Sequence, residues 1–311
     1  MVNTPRISAV VCTHNRKAYA LQAVDSLARQ TLPAQVAEIV VVDNASDDGT
    51  FEALTGEFGH LPHFRCLREP RLGLSAARNT GWKAARGEFV AFLDDDARAQ
   101  PDWLAAILEV FDSAVPTPGC VAGKIAAHWE APRPPWLSDH MAMCLAILDW
   151  GDKPLAIGKD KHFAGANMAF PRRVLEEAKG FPEFLGRKGK KLLSNEEILV
   201  SRYLDDHGLI TLYHPDVLVR HSIQPARLRE GWFISRSYWQ GVSNAIMHVR
   251  ENKTAWPGRL SAALRVAAGL AKRPSWIWLA CLPAADRERF DFTCDRVGKL
   301  GFISGLLGLA G

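Results

Sequence analysis

The 311-residue chain has no apolar run approaching the ~18 residues of a membrane span. No G-x-G-x-x-G follows its first strand-like segment, which counts against a nicotinamide-dependent reductase. The six cysteines, at positions 12, 66, 120, 144, 281 and 294, form no C-x-x-C pair and no zinc spacing. Reduced, buried thiols are therefore expected rather than a disulfide framework. Internal repeats are absent. Net charge is scarce too: 38 Lys+Arg against 34 Asp+Glu give +4, too little for a protein that lives on neutralising phosphates, so no nucleic-acid partner is expected. The opening MVNTPR runs straight into a strand pattern instead of an apolar stretch with a cleavage site. That predicts a cytoplasmic protein, able to sit as a peripheral protein on the inner face of the cell membrane.

What is present is an ordinary globular composition, 48% hydrophobic and 23% charged, enough for one large α/β domain plus an appendage. The charge is divided unevenly: residues 1–219 hold 24 basic and 28 acidic side chains, whereas 220–311 hold 14 and 6. Residues 7–12 are a short apolar run broken by Thr-His-Asn-Arg, after which Leu21, Val24, Leu27 and Ala28 recur at helical spacing, with Asn15 placed to cap the helix. Further strand and helix patterns follow at 38–58 and 66–86, and 88–93 is a strand ending on three aspartates. Such alternation predicts a doubly wound, mostly parallel sheet with helices on both faces. Ligands gather at the carboxyl ends of such strands.

Farther along, the pattern weakens. Segment 113–160, with PTPG and EAPRPPW, reads as a long connection crossing the site. HFAGANMAFP reads as a strand around a glycine turn, GRKGKK (186–191) as a basic loop, 195–207 as a helix opening with Glu196-Glu197, and 209–221 as a strand. From residue 230 helices dominate, carrying Trp232, Trp239, Trp256, Trp276 and Trp278.

Two features bear on chemistry. Asp94-Asp95-Asp96 crowds three carboxylates at a strand end, where each close pair costs about 1 kcal/mol or more unless something positive offsets it. A divalent ion such as Mg²⁺, which prefers carboxylate and phosphate oxygens, is one offset; the other reading is a solvated acidic turn capping the helix that PDWL begins. Asp43, ending IVVVD, is placed to accept hydrogen bonds from a ribose or a base edge, or to start an Asx-turn.

VVCTHNR, VVVDNASDDGT, GLSAARNTGW, FLDDDARAQPDW, AGANMAFPR and SNEEILVSRYL occur in that order. Together, over residues 6–245, they resemble family 2 glycosyltransferases, which have the GT-A fold and invert the anomeric centre. The resemblance implies a catalytic domain at 1–225, with a nucleotide-sugar half at 1–100 and an acceptor half at 101–225, and a helical, basic and aromatic region at 226–311. It implies that Asp43 contacts the donor base, with Thr13, Asn15 and Arg16 lining that pocket and Arg78 near the base and diphosphate. Asp96 would ligate Mg²⁺ or Mn²⁺, as the last residue of the D-x-D motif, with Asp94 and Asp95 supporting the ribose or the metal's waters. Gly165 and Asn167 would form the turn beside donor sugar and acceptor. Glu197 would be the general base in the place of the family's Asp, although sliding the motif by one residue gives that role to Glu196. His221 would be a further metal or diphosphate ligand. The implied reaction moves a sugar from a nucleotide-diphosphate donor, UDP first among them, to a hydroxyl of a surface polysaccharide or glycolipid.

The Q-x-x-R-W motif of processive synthases is absent, since HSIQPARLREGW holds those residues at another spacing; transfer of a single sugar is expected. Two readings of the tail stand: an interfacial segment on anionic lipid, drawing on KRPSWIWLACLP and the apolar C-terminus, or helices packed on the catalytic domain. GRKGKK likewise reads as a loop for phosphate groups or as a solvated loop. The rival functions are a non-catalytic nucleotide-sugar-binding protein and a nucleotidyltransferase; the second is expected to carry a Gly/Lys-rich loop that THNRKA lacks.

Overall fold

The computed structural model describes residues 4–158, 161–271 and 287–310. In chain order its elements are β1 (Ile7–Thr13), α1 (Lys17–Ala28), β2 (Ala37–Asp43), α2 (Thr50–Phe58), β3 (Phe64–Arg68), α3 (Leu74–Ala84), β4 (Phe89–Asp94), β5 (Ala97–Ala99) and α4 (Trp103–Ser113). They continue with β6 (Cys120–Trp129), α5 (Asp139–Ala142), β7 (Leu155–Ala156), β8 (Asn167–Pro171), α6 (Arg172–Glu177), α7 (Glu196–Asp206), β9 (Thr211–Ile223), α8 (Glu230–Glu251), α9 (Trp256–Ala271) and a final helix, α10 (Arg287–Leu306).

The strands form one sheet in the order β3-β2-β1-β4-β8-β6-β9-β5, with β7 paired to β9. The β3-β2-β1-β4 half is parallel, and β8 then joins β4 antiparallel. Strands buried on both faces read as near-continuous apolar runs, as AVV and IVVV do here. Along β1, Ile7, Ala9 and Val11 face a core shared with α1, α2 and α4, centred on the fully buried Trp103. Val10 faces the opposite core, with Trp82, Val174, Val200 and Leu204. Helices cover both faces, as the alternation predicts.

Two local expectations fail. Asn15 does not cap α1: it sits at φ 52, its Oδ1 accepts the Asp47 N–H at 2.8 Å, and Arg16 occupies the cap position. Segment 113–160 is not a plain connection, because it contains the ten-residue β6 inside the sheet. Its sequence, CVAGKIAAHW, is rich in alanine and glycine, which are depleted in strands. Sheet neighbours overrule that preference.

By contacts the chain makes two compact units. One comprises residues up to His128, Ala146–Phe184 and Glu196–Ser222; the other Trp129–Leu145, Leu185–Asn195 and the described residues from Ile223 onward. The second unit thus takes two earlier segments besides the basic tail, GRKGKK among them, where Lys188 and Lys191 exchange backbone hydrogen bonds. Its helices α8 and α10 pack closely, since a Cβ on Gly301 would come within 2.0 Å of the Tyr238 carbonyl. The apolar C-terminus is therefore used in packing, with Leu306 fully buried. KRPSWIWLACLP lies outside the described residues. The five described cysteines are free thiols, as expected, but only Cys120 and Cys294 are buried while Cys12, Cys66 and Cys144 are partly so; desolvation pushes Cys12 up to about 12.

At the amino ends of the parallel strands a polar lock closes the sheet. The Ser8 hydroxyl and the Arg86 N–H donate to Glu38 Oε1 (2.7 and 2.6 Å), Arg65 donates to Glu38 Oε2 at 2.9 Å, and the Gly87 N–H donates to the Ser8 hydroxyl at 2.9 Å. A Cβ at Gly87 would meet the Ile7–Ser8 backbone at 2.7–2.9 Å. Gly87→Ala is expected to cost about 1–3 kcal/mol by overpacking. Thermal unfolding checks this, and an unchanged midpoint would show that the strand end yields.

Candidate active site

The polar groups of the parallel strands reach one edge because β1, β2 and β4 end level. Thr13 pairs with Asp43, and Cys12 with Asp94. Past β4 the chain turns through Asp95 and Asp96 into β5, which runs antiparallel to β9 with Ala97 opposite His221. The Ser222 N–H donates to the Asp96 carbonyl at 2.8 Å. This register sets His221 Nε2 2.9 Å from Asp96 Oδ1, both side chains 2% exposed.

Arg16, from the β1–α1 loop, donates from Nη1 to Asp95 Oδ1 at 3.0 Å and to Asp96 Oδ2 at 2.6 Å. Burial pushes the Asp95 carboxyl up to about 6; Arg16 pulls against it, Asp96 and Asp94 add to it, and a hydrogen bond from Thr13 opposes them. Asp43 is buried, and its Oδ1 meets no donor among the described residues. A buried acceptor left unmatched is costly, and a ribose hydroxyl or base N–H would match it.

Arg78, on α3, is 3% exposed and joins two acidic groups far apart in sequence. Its Nη1 donates to Glu196 Oε1 at 2.6 Å and its Nη2 to Asp94 Oδ1 at 3.2 Å. The Phe181 ring lies 5.5 Å from the guanidinium, and a Cβ on Gly165 would come within 2.2 Å of Nη2. Gly165 is required for space at Arg78. Asn167 is likewise turned inward: Trp103 Nε1 donates to its Oδ1 at 2.9 Å, and its Nδ2 donates to the carbonyls of Lys124 and Val217 at 3.0 and 2.8 Å. Its side chain thus ties β8 to α4, β6 and β9. Glu196 and Glu197 open α7, where acidic groups meet the helix dipole favourably. Glu196 is buried and Glu197 half-buried.

One contributor was missed in the sequence. Asn44 donates from Nδ2 to the carbonyls of Glu69 and Arg71, both at 2.9 Å, and its Oδ1 accepts the Gly73 N–H at 2.8 Å. It clasps the loop that launches α3 and hence Arg78. Arg71, assisted by Thr80 and opposed by burial, holds the Glu69 carboxyl in the same loop down to about 2. An Asn directly after a strand-ending Asp is a turn signal, but its partners 25 and more residues away are not.

Among the described residues Asp94, Asp96 and His221 each offer one ligand atom, and the three atoms lie within 4.8 Å of one another. His221 Nε2 and Asp96 Oδ1, 2.9 Å apart, share a hydrogen bond, and adjacent ligands on an octahedral ion at about 2.1 Å would stand at a similar separation, about 3 Å. Arg16 and Arg78 bring two positive charges to the four carboxylates of Asp94, Asp95, Asp96 and Glu196. Glu197 also acts on Arg78, so carboxylates outnumber the cations, and the residues fit a divalent ion.

The sequence model described as glycosyl transferase family 2 matches residues 8–178. The chain belongs to that family. This family 2 glycosyltransferase is 28% identical over 248 residues to the glucosyl-dolichyl phosphate glucuronosyltransferase of Haloferax volcanii, covering 78% of this chain and 77% of that one. It is 26% identical over 317 residues to the succinoglycan biosynthesis protein ExoM of Rhizobium meliloti, covering 98% and 94%. Its fold matches that of mannosyltransferase PcManGT from Pyrobaculum calidifontis, solved with GDP-Man and Mn²⁺, with a TM-score of 0.65 and 22% identity over 98% of this chain and 88% of that one. A TarS structure from S. aureus with UDP matches with a TM-score of 0.55 and 17% identity, covering 97% and 92%. These neighbours establish the GT-A fold.

Because Glu196 shares a buried ion pair with Arg78, Arg78→Ala is expected to destabilise the glycosyltransferase by about 3–5 kcal/mol. Adding Glu196→Gln should recover a large part of that loss. Urea unfolding of both variants measures it; a single variant as stable as the parent would mean that the pair holds nothing together.

Proposed function

We propose that this glycosyltransferase moves one sugar from a nucleotide-diphosphate donor, UDP-linked in the first instance, to a hydroxyl of a surface polysaccharide or glycolipid, inverting the anomeric centre. The observation that carries the reading is the joint placement of Asp94, Asp96 and His221 at the sheet edge where Asp43 keeps a buried, unmatched acceptor. The relatives support it: one is a glucosyl-dolichyl phosphate glucuronosyltransferase, and another is a succinoglycan biosynthesis protein.

Asp94, Asp96 and His221 would hold Mg²⁺ or Mn²⁺, which when bound would offset charge on the departing diphosphate without a proton. Asp43 takes hydrogen bonds from the nucleoside, and Thr13 and Asn15 line that end of the site. Arg16, now on Asp95 and Asp96, also stands within the family's donor pocket. Glu197 is the general base. It removes the acceptor proton as the new bond to C1 forms, and a single displacement with one base inverts the centre. Glu196 is less suited, because protonating it would dismantle its buried pair with Arg78. A cytoplasmic site of action and contact of the basic tail with an anionic membrane surface complete the reading.

Two measurements test it. A thermal-shift panel of UDP-, GDP- and dTDP-sugars with and without Mn²⁺ should show one donor stabilising the fold, since a ligand bound only by the native state raises stability as RT ln(1 + [L]/Kd). Asp96→Asn should lose the Mn²⁺-dependent part. Glu197→Gln should lower transfer by about 10²–10⁴-fold while keeping the donor shift; undiminished transfer would move the base elsewhere.

A further inference from the structure

Helix α9 is amphipathic in the reverse sense from a helix that faces water. Its inner face is Ala262, Ala263 and Leu270, all buried, the two alanines in a cluster with Ala245 of α8 and Leu306 of α10. Its outer face carries Trp256, Leu260 and Leu264, which are 56%, 43% and 61% exposed. Spaced four residues apart, they form one stripe, where an ordinary surface helix places polar groups. Pro257 and Ala268 extend the stripe, and Ser261 and Arg265 border it.

Along the chain, the charge in this stretch has a single sign. From residue 252 to 285 the sequence holds Lys253, Arg259, Arg265, Lys272 and Arg273 and no Asp or Glu. A second copy meeting this face would bring two basic segments together. No helix among the described residues is long and apolar enough to cross a membrane. A Trp and two Leu beside basic groups suit a helix lying in the plane of a bilayer, where apolar side chains enter the headgroup boundary and cations meet lipid phosphates.

We propose that α9 is a docking surface for an anionic lipid bilayer, with Trp256, Leu260 and Leu264 inserted and Arg265 against the phosphates. This refines the reading of the basic tail as a membrane contact: the surface is the exposed stripe of α9 rather than the apolar C-terminus, where Leu309 is exposed but Leu306 is buried. It does not depend on which donor or base the catalytic unit uses.

The test is co-sedimentation of the full chain with vesicles of phosphatidylcholine alone or mixed with phosphatidylglycerol. Binding to the anionic vesicles only, weakened by salt, is expected. The double variant Leu260→Glu/Leu264→Glu should bind on the order of tenfold more weakly, with its thermal midpoint and sugar-nucleotide turnover unchanged. The milder pair Leu260→Ala/Leu264→Ala, expected to fall between the two, guards against misfolding. Absence of binding to anionic vesicles would overturn the proposal. So would binding untouched by the substitutions, or a dimer by light scattering that the substitutions dissociate while vesicle binding persists. Inactive protein that still binds through Leu260 and Leu264 would support the docking surface and strike only the catalytic reading.

Discussion

A guanidinium with almost no access to water ties the acidic edge of the sheet to the start of α7. Arg78 spans from Asp94 at the end of β4 to Glu196 at the start of α7, 118 residues apart in sequence from Arg78 itself. A planar fork with fixed donors imposes a geometry that a flexible ammonium would not. The surroundings are shaped to it, with a bare glycine on one side and an aromatic ring on the other. Of two adjacent glutamates, Glu196 is thereby committed to this pair.

The two ends of the parallel strands treat buried polar groups differently. At the amino ends the Ser8, Glu38 and Arg65 side chains hydrogen-bond one another and two backbone N–H groups, leaving Arg65 Nε without a partner among the described residues. At the carboxyl ends Asp43 Oδ1, Glu196 Oε2 and His221 Nδ1 are buried without partners among the described residues. Native proteins rarely tolerate such groups without reason.

Much of this was legible in the chain. The alternation of apolar runs with helical periods, and the acidic residues ending two of those runs, gave the sheet and its active edge, because buried parallel strands have few ways to be written. The motifs singled out Asp43, Asp94, Asp96 and Glu197 as candidates, and the structure brings Asp94 and Asp96 together with His221. What sequence could not supply was pairing at a distance. His221 acquires its meaning from the β5–β9 register, Arg78 from an ion pair across 118 residues, and Asn44 from loop atoms beyond the next strand. β6 was missed for another reason: its alanines and glycine have no strand preference of their own, and only neighbours on both sides make them a strand.

Asn167 shows what such pairing means for the way the enzyme can vary. Its amide meets the Trp103 indole and two carbonyls from different strands, so the floor beneath the acidic residues is cross-braced from within. A change there would disturb several strands together, and none of its gain could be confined to one sugar or one acceptor. New preferences for substrate must then be written in the loops around the rim, over a foundation that different specificities can share.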